Sequence, residues 1–176
     1  MSTPTPDPTH PIWTKVGITG AQRGITPEAR ASLIMALQEV KAEEVHHGDC
    51  VGADASAHAE ALKLGLRVVL HPPIQDAFRA FCAGHSRTVT ILPPLAYTVR
   101  NRKIVDGTDG LIALPATKEE QLRSGTWSTY RYARGVNKSA GARANPPKPT
   151  LLIYPDGTRE YSGHGAPPPG PPAWLG

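Results

Sequence analysis

Short apolar runs alternate along this chain with longer stretches in which apolar residues recur every third or fourth position, so strands and helices are expected to alternate. TKVGIT (14–19) predicts a first strand. Thr26-Pro27-Glu28 then supplies an N-cap, a proline at the first helical position and an early acid. Leu33, Ile34, Leu37 and Val40 follow on one helical stripe. EEVHH (43–47) predicts a second strand, Ala53–Leu64 a helix stopped by Gly65, and LRVVLHP (66–72) a third strand closed by Pro72-Pro73. A short helix is expected near 74–83, a weak strand at TVTIL (88–92) and a helix over Leu95–Asp106. GLIALP (110–115) has no polar position, the pattern of a strand covered on both faces. A helix from Ser124 to about Gly135 and a last strand and turn in TLLIYPDG (150–157) complete the series.

This alternation predicts an α/β fold, a Rossmann-like three-layer sandwich with a mostly parallel central sheet. A chain of 176 residues suits one domain. That domain is expected over 13–160, between a disordered N-terminal tail at 1–12 and a Pro/Gly-rich flexible C-terminal tail at 161–176. Ligands bind such sheets beyond the carboxyl ends of the strands, where strand order reverses. Gly-rich segments fall at three such ends: Gly17–Gly24, Gly48–Asp54, and Arg123–Thr126 after the central strand.

Charge narrows the partner. Residues 100–149 carry ten Lys/Arg against four Asp/Glu, while the rest of the chain carries nine against eleven. The positive excess is local and favours a phosphorylated small molecule or nucleic acid, although a solvated basic surface has the same composition. No apolar run reaches the roughly 20 residues of a membrane span, and MSTPTPDPTHP lacks the regions of a signal peptide. Cys50 and Cys82 are too few for a disulfide framework. A cytoplasmic protein without membrane partners is expected.

The three loops carry different chemistry. Gly20 and its neighbours let backbone approach a ligand, with Gln22 beside Arg23 as a charged clamp. Gly48 and Gly52 bracket a strand-to-helix turn whose amides, with that of Ala53, attract phosphate. Asp49 or Asp54 there can cap the helix, accept a ribose hydroxyl or act in catalysis, and Asp54 and His58 share a helical face. Ser124, Gly125 and Thr126 again open a helix and offer amides and hydroxyls, as ligand donors or as simple N-caps. Arg102, in the basic run RNRK, is the candidate inward guanidinium, with Asn101 beside it. Tyr97 or Tyr130 offers a ring for a base, and Trp127 reads as packing. A metal site at His46, His47, Cys50 and His58 is not favoured: adjacent strand residues point to opposite faces, and neither C-x-x-C nor H-E-x-x-H occurs. Cys50 is likewise not favoured as a nucleophile, although His47 lies close in sequence. No cofactor is expected.

Taken in order, GITGAQRG-T, HGDCVGADASAHAEALKLG, RNRKIVDGTDGLIALP and SGTWSTYRYAR resemble the Rossmann-like SLOG superfamily over about residues 14–156. The likeness is closest to its DNA-processing Smf/DprA branch and weaker to the lonely-guy (LOG) phosphoribohydrolases. It implies phosphate or nucleotide contact at Gly20, Arg23, Gly48, Gly52, Asp54, Arg102, Ser124, Gly125 and Thr126, and it is compatible with a homodimer. Three activities follow from the branches. The first is binding of a nucleotide or nucleotide-derived ligand. The second is N-glycosidic cleavage of a nucleoside 5'-monophosphate. The third is binding of single-stranded DNA. Lonely-guy enzymes carry PGGxGTxxE, whereas Pro115 here is followed by ATKEEQLRSGTWST, with Ser128-Thr129 where the acids stand. Glycosidic cleavage needs a carboxylate or similar group, so Glu119 or Glu120 folding back, or Asp49 or Asp54, would have to supply it. For DNA, Arg100, Arg102, Arg123, Arg131, Arg134, Lys138, Arg143 and Lys148 would have to share a face.

Overall fold

The computed structural model describes residues 11–136 and 143–163. The strands are β1 (Lys15–Gly20), β2 (Glu44–His47), β3 (Arg67–Leu70), β4 (Val89–Ile91), β5 (Gly110–Leu114), β6 (Thr150–Ile153) and β7 (Arg159–Ser162). They form one sheet in the order β4-β3-β2-β1-β5-β6-β7, all pairs parallel except β6–β7. The helices are α1 (Pro27–Glu39), α2 (Ala53–Lys63), α3 (Tyr97–Asp106) and α4 (Gly125–Arg134). α1 packs on α2 and α3 on α4. Right-handed crossovers put the first pair on one face of the sheet and the second pair on the other. The protein is a Rossmann-like α/β sandwich.

The caps and stripes form as their residues dictate. Thr26 Oγ1 accepts the Ala29 amide at 3.1 Å, with Pro27 opening α1. Ala57 and Ala61 are fully buried, which lets α2 lie close on the sheet. All five residues of β5 are buried, as an unbroken apolar run requires. The main core lies between the sheet and α1/α2, with Val16, Ile18, Leu33, Leu37, Val45, Leu70, Ile112 and Ile153 at its centre. Smaller clusters lie under α3 and α4 and include the packed Trp127.

Three expectations change. The helix near 74–83 shrinks to a single 3-10 turn at Asp76–Phe78. Its apolar residues Phe78 and Phe81 are 51% and 58% exposed, so no buried face supports a helix. The helix read from Leu95 starts at Tyr97, with Ala96 as N-cap. β7 was not anticipated, because Arg159–Ser162 is an edge strand with no apolar run. It is held by the Asp156-Gly157 turn, where Gly157 has φ 82°, and by Arg159, whose guanidinium donates to Ser32 Oγ at 2.7 Å and Glu39 Oε2 at 2.6 Å. The boundary expected at 160 therefore falls inside a strand, and Tyr161 stacks on Trp13. The expected tails at 1–12 and 161–176 lie mostly outside the described residues. Among the described residues no helix is long and apolar enough to cross a membrane.

Candidate functional site

The sheet reverses its order of crossovers at β1, between β2 and β5. A cavity of about 520 Å³ opens there, beyond the carboxyl ends of these strands. Its wall takes Gly20, Gln22 and Arg23 from the β1–α1 loop, Cys50 and Asp54 from the β2–α2 turn, Tyr97, Arg100 and Asn101 from α3, and Arg123–Thr126 from the start of α4. Three guanidiniums thus surround one carboxylate. Arg23 and Arg123 are exposed and carry no ion pair among the described residues.

Arg100, not Arg102, is the inward guanidinium. It is 3% exposed, its Cζ lies 4.6 Å from the centre of the Tyr97 ring, and its Nη2 donates to Cys50 Sγ at 3.4 Å. Its ion pair with Asp54 is long, 4.0 Å, and its Nε has no hydrogen-bond partner. The α3 face that packs inward is Arg100, Ile104 and Val105, while Val99 is 45% exposed. Arg102 lies over Tyr132 in the cleft between α3 and α4. The signal for Arg100 was its helical spacing, with Tyr97 three residues before and Ile104 four after.

Several amides of the turn after β2 are bonded within the protein. Asp54 Oδ2 accepts the Gly48 and Cys50 amides at 3.0 and 3.2 Å. The Ala53 amide donates to Ala21 O at 2.9 Å, and the Asp49 amide to His47 Nδ1 at 3.1 Å. The Gly48, Asp49, Cys50 and Ala53 amides are thus bonded within the protein, and Gly48, Asp49, Gly52 and Ala53 are not brought to the cavity wall. Their residue types serve packing. A side chain on Gly48 would overlap Arg100, and one on Gly52, at φ 90°, would overlap the backbone of Ala21 and Gln22. Asp49, at φ 54°, accepts from Arg79 Nε at 2.7 Å and from the Cys82 amide at 2.8 Å, pinning the β3–β4 loop.

The start of α4 differs. Ser124 Oγ accepts the Trp127 amide at 3.4 Å, whereas the Gly125 and Thr126 amides have no partner among the described residues. A methyl group at Gly125 would meet no atom within 4 Å, so the backbone there is open.

Electrostatics follow from burial. Desolvation raises the Asp54 carboxyl from 3.8 to about 6, against the pull of Arg100 and the two amides. Burial and the Cys50 contact push the Tyr97 phenol up to about 12, and its hydroxyl lies 3.2 Å from Cys50 Sγ.

The remaining candidates make contacts within the protein. His58 bonds His47 Nε2 at 3.0 Å and Ala83 O at 2.8 Å, rather than Asp54. His47, His58 and Cys82 lie close enough to share an ion. However, His47 Nδ1 accepts a backbone N–H, so a neutral ring carries its proton on Nε2 and passes it toward His58 Nδ1. No ring lone pair is left for a metal in this arrangement. His46 faces the other way, onto His71 and Glu44. Tyr130 is buried against Trp127 and offers no open ring. Glu120 pairs with Arg131 at 2.7 Å, and neither it nor Glu119 reaches the cavity wall. Arg134 bonds the Tyr130 hydroxyl and Lys148 the Thr108 carbonyl, so several of the basic side chains considered for DNA are engaged internally. Lys138 lies outside the described residues.

No family model and no curated protein matches the chain. Among solved structures, the X-ray structure of DNA processing protein A (DprA) from Streptococcus pneumoniae is similar at 23% identity, with a TM-score of 0.47. The match covers 69% of this chain and 46% of that one, so the chain spans less than half of the protein it resembles.

Proposed function

We propose that this protein binds a phosphorylated, nucleotide-type ligand in the cavity between the β1–α1 loop, α3 and the start of α4. The phosphate rests on the Gly125 and Thr126 amides and the Ser124 hydroxyl, with Arg100 beneath and Arg23 and Arg123 at the rim. The observation that carries this reading is the buried Arg100: among the described residues its Nε has no partner and its one carboxylate contact is at 4.0 Å. A buried guanidinium left so poorly paired is costly, and an anion in the adjoining cavity satisfies it. The cavity volume is that of an ordinary small-ligand site. Titration calorimetry with nucleoside monophosphates and inorganic phosphate tests the reading. Binding in the micromolar range is expected for the nucleotides. No binding at millimolar ligand by folded protein would remove it.

A second reading is favoured by Asp54. Its carboxyl titrates near 6 on the cavity wall, within the range of a general acid or base at neutral pH. Cleavage of the N-glycosidic bond of a nucleoside 5'-monophosphate would then release free base, and Asp54→Asn would abolish that release while leaving binding in place.

A further inference from the structure

A second cavity of about 180 Å³ lies in the cleft between α3 and α4 and shares Tyr97, Asn101, Gly125 and Thr129 with the first. It has a sequence cause. On α4, Gly125, Ser128, Thr129 and Tyr132 recur on one face, and three of these are too small to close the gap to α3. Tyr132 forms the far wall. Its hydroxyl donates to Asp106 at 3.0 Å, which fixes the ring, and the Arg102 guanidinium lies 5.6 Å from the ring centre. That is looser than the 4.6 Å of Arg100 over Tyr97, and Arg102 is only half-buried. Asn101, on the shared wall, makes no side-chain hydrogen bond among the described residues.

We infer that this cleft is a base-stacking subsite, and that the ligand class is a phosphodiester-linked dinucleotide rather than a mononucleotide. The inference rests on the proposed phosphate seat at α4. With the 5'-phosphate there, the first nucleoside occupies the larger cavity. The second base enters the cleft and stacks on Tyr132. The Asn101 carboxamide, one donor group and one acceptor, meets a base edge and matches adenine. Arg102 neutralises the bridging phosphodiester. Tyr132 is thereby a specificity residue for the second nucleotide only.

The probes are inorganic phosphate, AMP and the dinucleotide pApA, titrated into the wild-type chain and into Tyr132→Ala, Tyr132→Phe and Arg102→Ala. Expected is pApA binding about tenfold or more tighter than AMP. That gain should vanish in Tyr132→Ala, persist in Tyr132→Phe and shrink in Arg102→Ala, while AMP affinity stays within about twofold. If pApA binds no tighter than AMP, the subsite is overturned and the phosphate seat stands. Equal weakening of AMP and pApA in Tyr132→Ala overturns it too, because the cleft then belongs to the mononucleotide site. If neither phosphate nor either nucleotide binds the wild type, the phosphate reading itself has failed. Should Tyr132→Ala not fold, Arg102→Ala decides the matter: an unchanged ratio of pApA to AMP affinity counts against the subsite.

Discussion

Gly48 and Arg100 compete for one volume: a methyl group on Gly48 would sit where the Arg100 Nη1 lies. A glycine on the β2–α2 turn therefore makes room for a guanidinium delivered from α3, 52 positions later in the chain. The turn and the helix are a matched pair.

Gly48→Ala is accordingly expected to destabilise the fold by about 1–3 kcal/mol through overpacking, read by urea denaturation. It should also weaken nucleotide binding, since Arg100 has to move. Arg100→Ala removes the obstacle, so the double variant should lose less stability than the sum of the two single losses. Strict additivity would show that the two do not share space.

Arg100→Lys tests the guanidinium itself. A lysine keeps the charge but lacks the fork and cannot stack on Tyr97 in the same way. Nucleotide affinity is expected to fall about ten- to hundredfold in calorimetry, the scale of one or two charge-assisted hydrogen bonds. Full affinity in Arg100→Lys would show that only the charge matters.

Asp49→Ala separates structure from chemistry. Asp49 is fully buried, holds Arg79 and the Cys82 amide, and lies outside the cavity wall. Its loss should cost about 2–4 kcal/mol of stability, because Arg79 loses its buried partner and alanine inherits a left-handed backbone. Nucleotide affinity of the remaining folded protein should be unchanged. A selective loss of affinity at full stability would return Asp49 to the site.

The pH dependence of binding should run through Asp54. Its folded carboxyl, at about 6, lies above the ordinary 3.8. The folded state therefore holds more protons than the unfolded state between those values. The Asp54 contribution to stability is present below 3.8 and is lost as pH rises through about 6. His47 and His71 act in the opposite sense. Burial lowers both, His71 to about 4, so their contribution is present above 6.5 and is lost as pH falls. Only the difference between wild type and Asp54→Asn isolates the carboxylate. The terminal phosphate of AMP or pApA also gains charge near pH 6, so the readout is a comparison with one ligand: as pH rises through about 6, affinity in the wild type should fall relative to affinity in Asp54→Asn. An unchanged slope in the variant would place the titrating group elsewhere.

Apart from the 74–83 segment, the order of elements from β1 to β6, the cap at Thr26, the helix start near Ser124 and the buried strand at 110–114 were legible in the linear chain. These depend on interactions within a few residues: side-chain periodicity, a hydroxyl reaching an amide three residues on, and an uninterrupted apolar run. The segments around Gly20 and Gly125 were legible as loop ends, because parallel α/β connectivity sends them to one edge of the sheet. Which guanidinium turns inward was not. Arg100 and Arg102 are chemically identical and two positions apart, and a helix rotates them by about 200°, so only the docking angle of α3 chooses between them. The fate of the β2–α2 amides was equally hidden. Glycines and aspartates in a turn look the same whether they cradle a phosphate or satisfy one another, and the choice depends on where Ala21 and Arg100 arrive from distant parts of the chain. β7 was invisible for the same reason: its strand is held by Arg159 reaching α1 and by Tyr161 meeting Trp13, contacts that no local pattern announces.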